Sequence, residues 1–137
     1  MTKLLIDTNI VIDLLAKREH YQEAAELFSL ADKGLVQLVV SSLTIANTHY
    51  IISKLKSQKE AKNILAKFNV LVDILNLDQK VIALALSSTI IDDFEDGLQY
   101  YTAIENQIDI IITRNKKDFK KAKLPILTAK EYLSKTI

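Results

Sequence analysis

Acidic and amide side chains concentrate in three short stretches of this chain: Asp7-Thr8-Asn9, Asp92-Asp93-Phe94-Glu95-Asp96, and Thr113-Arg114-Asn115 with Asp118 just beyond. The first stretch ends an apolar run, Lys3–Ile6, and the third ends a dense β-branched run, Ile110–Ile112. The second opens the helix that feeds that last strand. Carboxylate, carbonyl and water oxygens are the donors that Mg²⁺ and Mn²⁺ prefer. Carboxylates brought within reach of one another repel unless a divalent cation neutralises them. Such a cation lowers the pKa of a bound water and stabilises charge on an attacked phosphate, so this residue set suits metal-assisted phosphodiester hydrolysis with no side-chain nucleophile.

Those residues meet only if the elements carrying them run in register. Lys3–Ile6 reads as a buried strand, followed by helical spacing from Ile10 and a second apolar stripe, Tyr21 to Ala31, that stops near Gly34. Val36–Val40 reads as the second strand, with Ser41-Ser42 capping a helix through Leu55. A helix from about Gln58 to Lys67, a strand Val70–Leu75 and a helix from Asp78 through Leu86 follow. Asp92 or Asp93 caps the next helix, and Ile110–Ile112, Ile126-Leu127 and a closing helix Ala129–Leu133 complete the chain. Strands alternating with helices predict a three-layer α/β/α sandwich on a parallel central sheet of four to five strands. In such sheets ligands bind beyond the carboxyl ends of the strands, where the acidic stretches fall.

Composition narrows the rest. The 137 residues suit one domain, and a single Pro with two Gly leaves no flexible linker. The absence of Cys excludes disulfides and thiol chemistry. Asp7 comes too early for a signal peptide and no apolar run approaches a membrane span, so a cytoplasmic, membrane-free protein is expected. A net charge of +1 makes the molecule no general attractor of nucleic acid. The local run Lys116, Lys117, Lys120, Lys121 and Lys123 reads either as a solvated loop and helix face or as a phosphate-steering patch.

In joint order and spacing, Asp7-Thr8-Asn9, Asp93-Phe94-Glu95-Asp96-Gly97-Leu98-Gln99 and Thr113-Arg114-Asn115-Lys116-Lys117-Asp118-Phe119 resemble the PIN-domain family, the nuclease fold of many toxin–antitoxin toxins. The resemblance spans essentially residues 1–137, on the pattern of VapC-like toxin ribonucleases in a subgroup with Asn in place of some acids. It implies a metal-dependent endoribonuclease with Mg²⁺ or Mn²⁺ as cofactor, RNA as substrate, an antitoxin protein as partner and a homodimeric state. It further implies that Asp7, Asp96 and Asp118 bind the metal and carry catalysis, Asp7 as the first acid and Asp96 as the central one. Asn9 and Thr113 would orient water, ligands or phosphate, supported by Thr8 and Glu95. Asn47 stands where the family commonly has Glu, and Asn115 where it has an acid two residues after the Thr. Asp118 fits the arrangement Thr-Arg-Asn-x-x-Asp-Phe. Arg114 becomes the best phosphate clamp near the RNA, because its guanidinium binds bidentately, with Lys116 and Lys117 beside it.

Plainer roles compete at several positions. Asp7 can cap the helix that follows it, and Asp92 and Asp93 read as caps rather than ligands. Glu95 is a supporting partner or a solvated residue, and Asn47 a pocket residue or a core amide. His20 and His49 stand too far apart to pair as ligands. Two other functions remain in view. Aspartyl-phosphate phosphatases of the haloacid dehalogenase type need Asp-x-Asp after the first strand, where this chain has Asp7-Thr8-Asn9. A degenerate PIN domain that binds RNA or a protein partner without catalysis is motivated by Asn47 and Asn115.

Overall fold

The strand that carries Asp7 lies at the centre of the sheet. In the computed structural model, which describes residues 1–135, β1 (Lys3–Ile6), β2 (Gln37–Ser41), β3 (Asp73–Leu75), β4 (Ile110–Ile112) and β5 (Ile126–Leu127) form one sheet in the order β3-β2-β1-β4-β5. Every neighbouring pair is parallel. The chain therefore builds outward from β1 on one side, then returns to place β4 on the other. That reversal opens a crevice at the carboxyl ends of β1 and β4, the place where parallel α/β sheets bind ligands. Residues 136–137, the end of the expected span, lie outside the described residues.

Parallel strands covered on both faces need apolar residues in succession rather than in alternation. Leu4 and Ile6 of β1 join Val11, Leu27, Phe28, Phe68 and Tyr132 in one core, while Leu5 joins Tyr100, Ala103, Ile111 and Phe119 in the other. The first core is roofed by α1 (Thr8–Leu15), α2 (Tyr21–Asp32), α4 (Gln58–Phe68) and α7 (Ala129–Lys135). The second lies under α6 (Phe94–Glu105), against which α5 (Gln79–Ser87) packs through Val81, Ala85 and Leu98. Helix α3 (Ser42–Leu55) touches both sides, through Ile45 and Leu43. The expected three-layer sandwich is thus the observed fold. Among the described residues, no helix is long and apolar enough to cross a membrane.

Several boundaries differ from expectation for local reasons. Helix α1 begins at Thr8 rather than near Ile10, because the Asp7 carboxylate accepts from the Thr8 amide at 2.8 Å and starts the first turn. Strand β2 runs one residue later than expected, so Ser41 is both its last residue and the cap of α3. Val70 and Leu71, expected in β3, form a solvent-exposed turn closed by backbone bonds back to Lys67 and Phe68. Only the residues that reach Val39–Ser41 pair there. The lysine-rich stretch contains a 3₁₀ turn, Lys116–Phe119, nailed down by buried Phe119.

Gly97 sets how closely α6 approaches α5. A Cβ at this position would stand 3.2 Å from the Ala85 Cβ, tighter than side chains normally pack, and in ordinary contact with its Cα at 3.5 Å. Gly97→Val should therefore lower stability by about 1–3 kcal/mol through overpacking. Urea unfolding measures this, and an unchanged midpoint would show that the two helices separate freely.

Candidate functional site

Each acidic stretch reaches the crevice for a separate local reason. Asp7 follows β1 and caps α1, its amide extending the ladder to the Ile112 carbonyl at 3.0 Å. Asp93 caps α6 by accepting from the Asp96 amide at 3.0 Å, which places Asp96 in the first helical turn facing back towards β1. Thr113 follows β4, where its amide donates to the Leu127 carbonyl and fixes its hydroxyl beside Asp7. Asp118 rides on the 3₁₀ turn, where the Asn115 side-chain amide donates to its carboxylate.

Asp7 is 7 % exposed, and a carboxylate so buried must be satisfied. Its oxygens accept from Thr113 Oγ1 at 2.8 Å, from the Thr8 amide at 2.8 Å, from Gln99 Nε2 at 3.2 Å and from Asn9 Nδ2 at 3.4 Å. Gln99 also donates to Thr44 Oγ1 at 2.8 Å and accepts from Ser41 Oγ at 2.7 Å, tying α6 to the end of β2. Thr8 Oγ1 shares a hydrogen bond with Thr44 Oγ1 at 3.1 Å. Asn9 Oδ1 accepts from the Arg114 amide, and Thr113 Oγ1 accepts from the Asn115 amide. Strand ends far apart in sequence are thereby joined into one polar floor.

The half-buried carboxyl of Asp96 is pushed up to about 7, first by burial and then by the neighbouring charges of Asp7, Asp93 and Asp118. Asp118 stands within hydrogen-bonding reach of it. Every charge that shifts Asp96 is acidic. The three expected metal acids are thus neighbours, although Asp118 itself is exposed. Even so, among the described residues no group of three or more Asp, Glu, His or Cys side chains is already arranged to hold an ion. The oxygens of Asp7 are turned onto their own donors and Asp118 takes one from Asn115.

Above this floor lies an open cleft of about 490 Å³, lined by Asp7, Thr8, Asn9, Asn47, Glu95, Asp96 and Asn115 among others. Asn47 therefore faces the cleft rather than the core, and Glu95 stands exposed on its rim. Thr113 is fully buried behind Asp7 and acts through it. The basic residues divide differently from expectation. Arg114 does bind bidentately, but to buried Asp13, through Nε at 2.8 Å and Nη2 at 3.2 Å. Its fork is held within the chain while the residue still lines the cleft. Lys116 pairs with Glu131 at 2.9 Å, and Lys117 lines a shallow depression beside Asn9 and Asn115.

Gln99 and Arg18 line the cleft although the sequence does not single them out as functional positions. Gln99 was visible within the acidic-helix motif, and its place three residues after Asp96 puts both on one helical face. That spacing was the available signal. Arg18 also lines the cleft, from the turn between α1 and α2, and no local pattern marks it.

A parallel five-stranded α/β sandwich whose acid-rich crevice lies at the β1–β4 switch point defines the class of protein. Residues 3–117 match the PIN domain, and the chain belongs to the PIN-domain family. It is 28% identical to the ribonuclease VapC1 of Aquifex aeolicus (strain VF5) over 137 residues, 95% of this chain and 92% of that protein. Among solved structures, a toxin–antitoxin complex from Klebsiella pneumoniae superposes with a TM-score of 0.69 at 25% identity, covering 92% of this chain and 97% of that one. VapBC2 of Rickettsia felis, bound to a DNA fragment from its promoter, gives a TM-score of 0.65 at 25% identity over the same shares.

The raised carboxyl of Asp96 has a consequence for stability. Between its ordinary value of 3.8 and about 7, the folded chain holds a proton that the unfolded chain has lost. The contribution of Asp96 is therefore fully present below the lower value and lost as pH rises through the upper one. In metal-free buffer, urea midpoints should fall from about pH 5 to about pH 8, and Asp96→Asn should flatten that fall. An identical pH dependence in the variant would show that Asp96 does not carry it.

Proposed function

We propose that this protein is a Mg²⁺- or Mn²⁺-dependent endoribonuclease, the toxin of a toxin–antitoxin pair, with residues 1–137 as its nuclease domain. The observation that carries the proposal is the gathering of Asp96 with Asp7 and Asp118, where every charge that shifts the Asp96 carboxyl is acidic. The donor set fits a hard cation: carboxylates of Asp7 and Asp96 and side-chain amides of Asn9, Asn47 and Asn115 line the cleft, and among the described residues no imidazole or sulfur does. Mg²⁺ usually takes only one or two carboxylates and keeps several waters, so a smaller acidic set suffices for it. Asp7 and Asp96 would hold the ion from the floor, with Asp118 reaching in from the 3₁₀ turn.

Bound there, the ion supplies an acidified water and a counter-charge for the attacked phosphate. The remaining work belongs to the chain. Thr113, Gln99 and the Thr8 amide hold the Asp7 carboxylate in one orientation where it lines the cleft. Asn9, Asn47 and Asn115 offer neutral donors and acceptors to water and phosphate without adding repulsion. Glu95 and Lys117 border the path of the RNA. The relatives that carry antitoxins support a small protein partner, and we extend the proposal to a homodimer acting in the cytoplasm.

Two observations favour a second reading, a PIN domain that binds RNA or a protein without cutting. Asn47 faces the cleft at the position where an acid was expected, and the described acids form no ready-made ion cluster.

Purified protein should cut a structured RNA in Mn²⁺ or Mg²⁺ and stop in EDTA, and Asp96→Asn should slow cutting about a hundredfold or more. Cutting that survives in the variant would remove Asp96 from the site; metal-bound but inert wild type would favour the second reading. Mn²⁺ affinity, followed by calorimetry, should weaken as pH falls below about 7, because a proton then competes for Asp96. Asp96→Asn should bind Mn²⁺ more weakly and lose that pH dependence.

A further inference from the structure

Two arginines line the cleft, and the fold treats them oppositely. Arg114 spends its fork on Asp13, of which only 1 % is exposed. Arg18 is exposed and, among the described residues, its guanidinium has no ion-pair or hydrogen-bond partner. The turn presenting it is nonetheless well fixed. Lys17 takes the left-handed conformation at φ 51°, which a side chain rarely adopts and which reverses the chain immediately before Arg18. The Arg18 amide donates to the Asp13 carbonyl at 3.1 Å, and its carbonyl accepts from the Tyr21 amide at 2.9 Å. Asp13 thus holds Arg114 by its side chain and the Arg18 turn by its backbone.

The charge balance sharpens the contrast. The cleft is lined by Asp7, Glu95 and Asp96, so an RNA strand entering it meets like charge. With Arg114 neutralised, Arg18 is the uncompensated cation among the described residues lining the cleft. A planar fork on a short fixed turn matches a phosphodiester, which presents paired oxygens. We infer that Arg18 is a substrate-binding residue, gripping an RNA phosphate beside the one positioned over the Asp7–Asp96 floor. The inference rests on the ribonuclease reading and names the contact that admits a polyanion to an acidic cleft.

The test uses the full chain carrying D96N, so that bound RNA is not cut. Binding of a fluorescein-labelled single-stranded RNA oligonucleotide is followed by anisotropy as salt is raised. Adding R18A should weaken binding about tenfold, the effect of losing one charge-assisted contact. The plot of log affinity against log salt should become shallower by about 0.7, the slope of one single-strand phosphate contact. R18K keeps the charge and should keep the slope while losing part of the affinity. K33A, at the C-terminal cap of α2 and absent from the cleft lining, should bind like the parent. Unchanged affinity and slope in R18A would overturn the assignment and leave the ribonuclease reading standing. Failure of the parent to bind RNA overturns both. A shallower slope in R18A, in a protein whose wild type binds RNA without cutting it, supports Arg18 and overturns the ribonuclease reading alone.

Discussion

The hydrogen bond from the Thr113 hydroxyl to the Asp7 carboxylate is the contact on which the cleft depends. It joins the ends of β1 and β4, which become neighbours only because the chain reverses direction around the central strand. A buried carboxylate left unmatched would destabilise the fold by several kcal/mol, so Asp7 obliges its surroundings to supply donors. They come from β4, from α6 and from the first turn of α1. The geometry then propagates. Thr113 Oγ1 also accepts from the Asn115 amide, and Asn9 Oδ1 accepts from the Arg114 amide, so the loop after β4 is shaped by the same few atoms. The site and the sheet are one construction.

Helix α6 meets the other half of that demand. Its N-terminal acid reaches the floor only because Asp93 starts the helix at the right residue, and because Gly97 lets α6 lie close on α5. Gln99, one turn on, bridges Asp7, Ser41 and Thr44, and so measures the distance between β1, β2 and the helix above them. An amide suits this position because it donates and accepts at once in a buried place without adding charge. Satisfied networks of this kind fix one arrangement, since a half-satisfied alternative would leave buried polar atoms unpaired.

The sheet was legible in the sequence because strands buried on both faces must be apolar throughout, and Lys3–Ile6 and Ile110–Ile112 are. Their polar successors at one edge followed directly, which is why Asp7 and Thr113 were found together. Helix starts at Ser41 and Asp78 could be read from capping chemistry, which also narrowed the start of α6 to Asp92 or Asp93. The ends of β3 could not, because Val70 and Leu71 have strand-like composition while their place beyond the pairing region is decided by β2. Arg114 shows the same limit at a site. Its residue type suggested a phosphate partner, but its actual partner, Asp13, lies on a helix 101 residues earlier and carries no local mark. Arg18 was invisible for the converse reason, since only the left-handed turn at Lys17 and the packing of α1 bring it to the cleft.

The amides at Asn47 and Asn115 make physical sense within this charge pattern. Asp7, Asp93 and Asp118 already raise the cost of ionising Asp96, as its elevated carboxyl records. Further carboxylates at positions 47 and 115 would deepen that repulsion whenever no cation is bound, and would repel an incoming polyanion as well. Amides retain oxygen donors at the same places while leaving the net charge of the cleft lower. The arrangement leaves the acid-lined cleft less self-repelling than carboxylates at those two positions would. The Arg114–Asp13 pair works from the other side: it anchors the loop bearing Asn115 to α1.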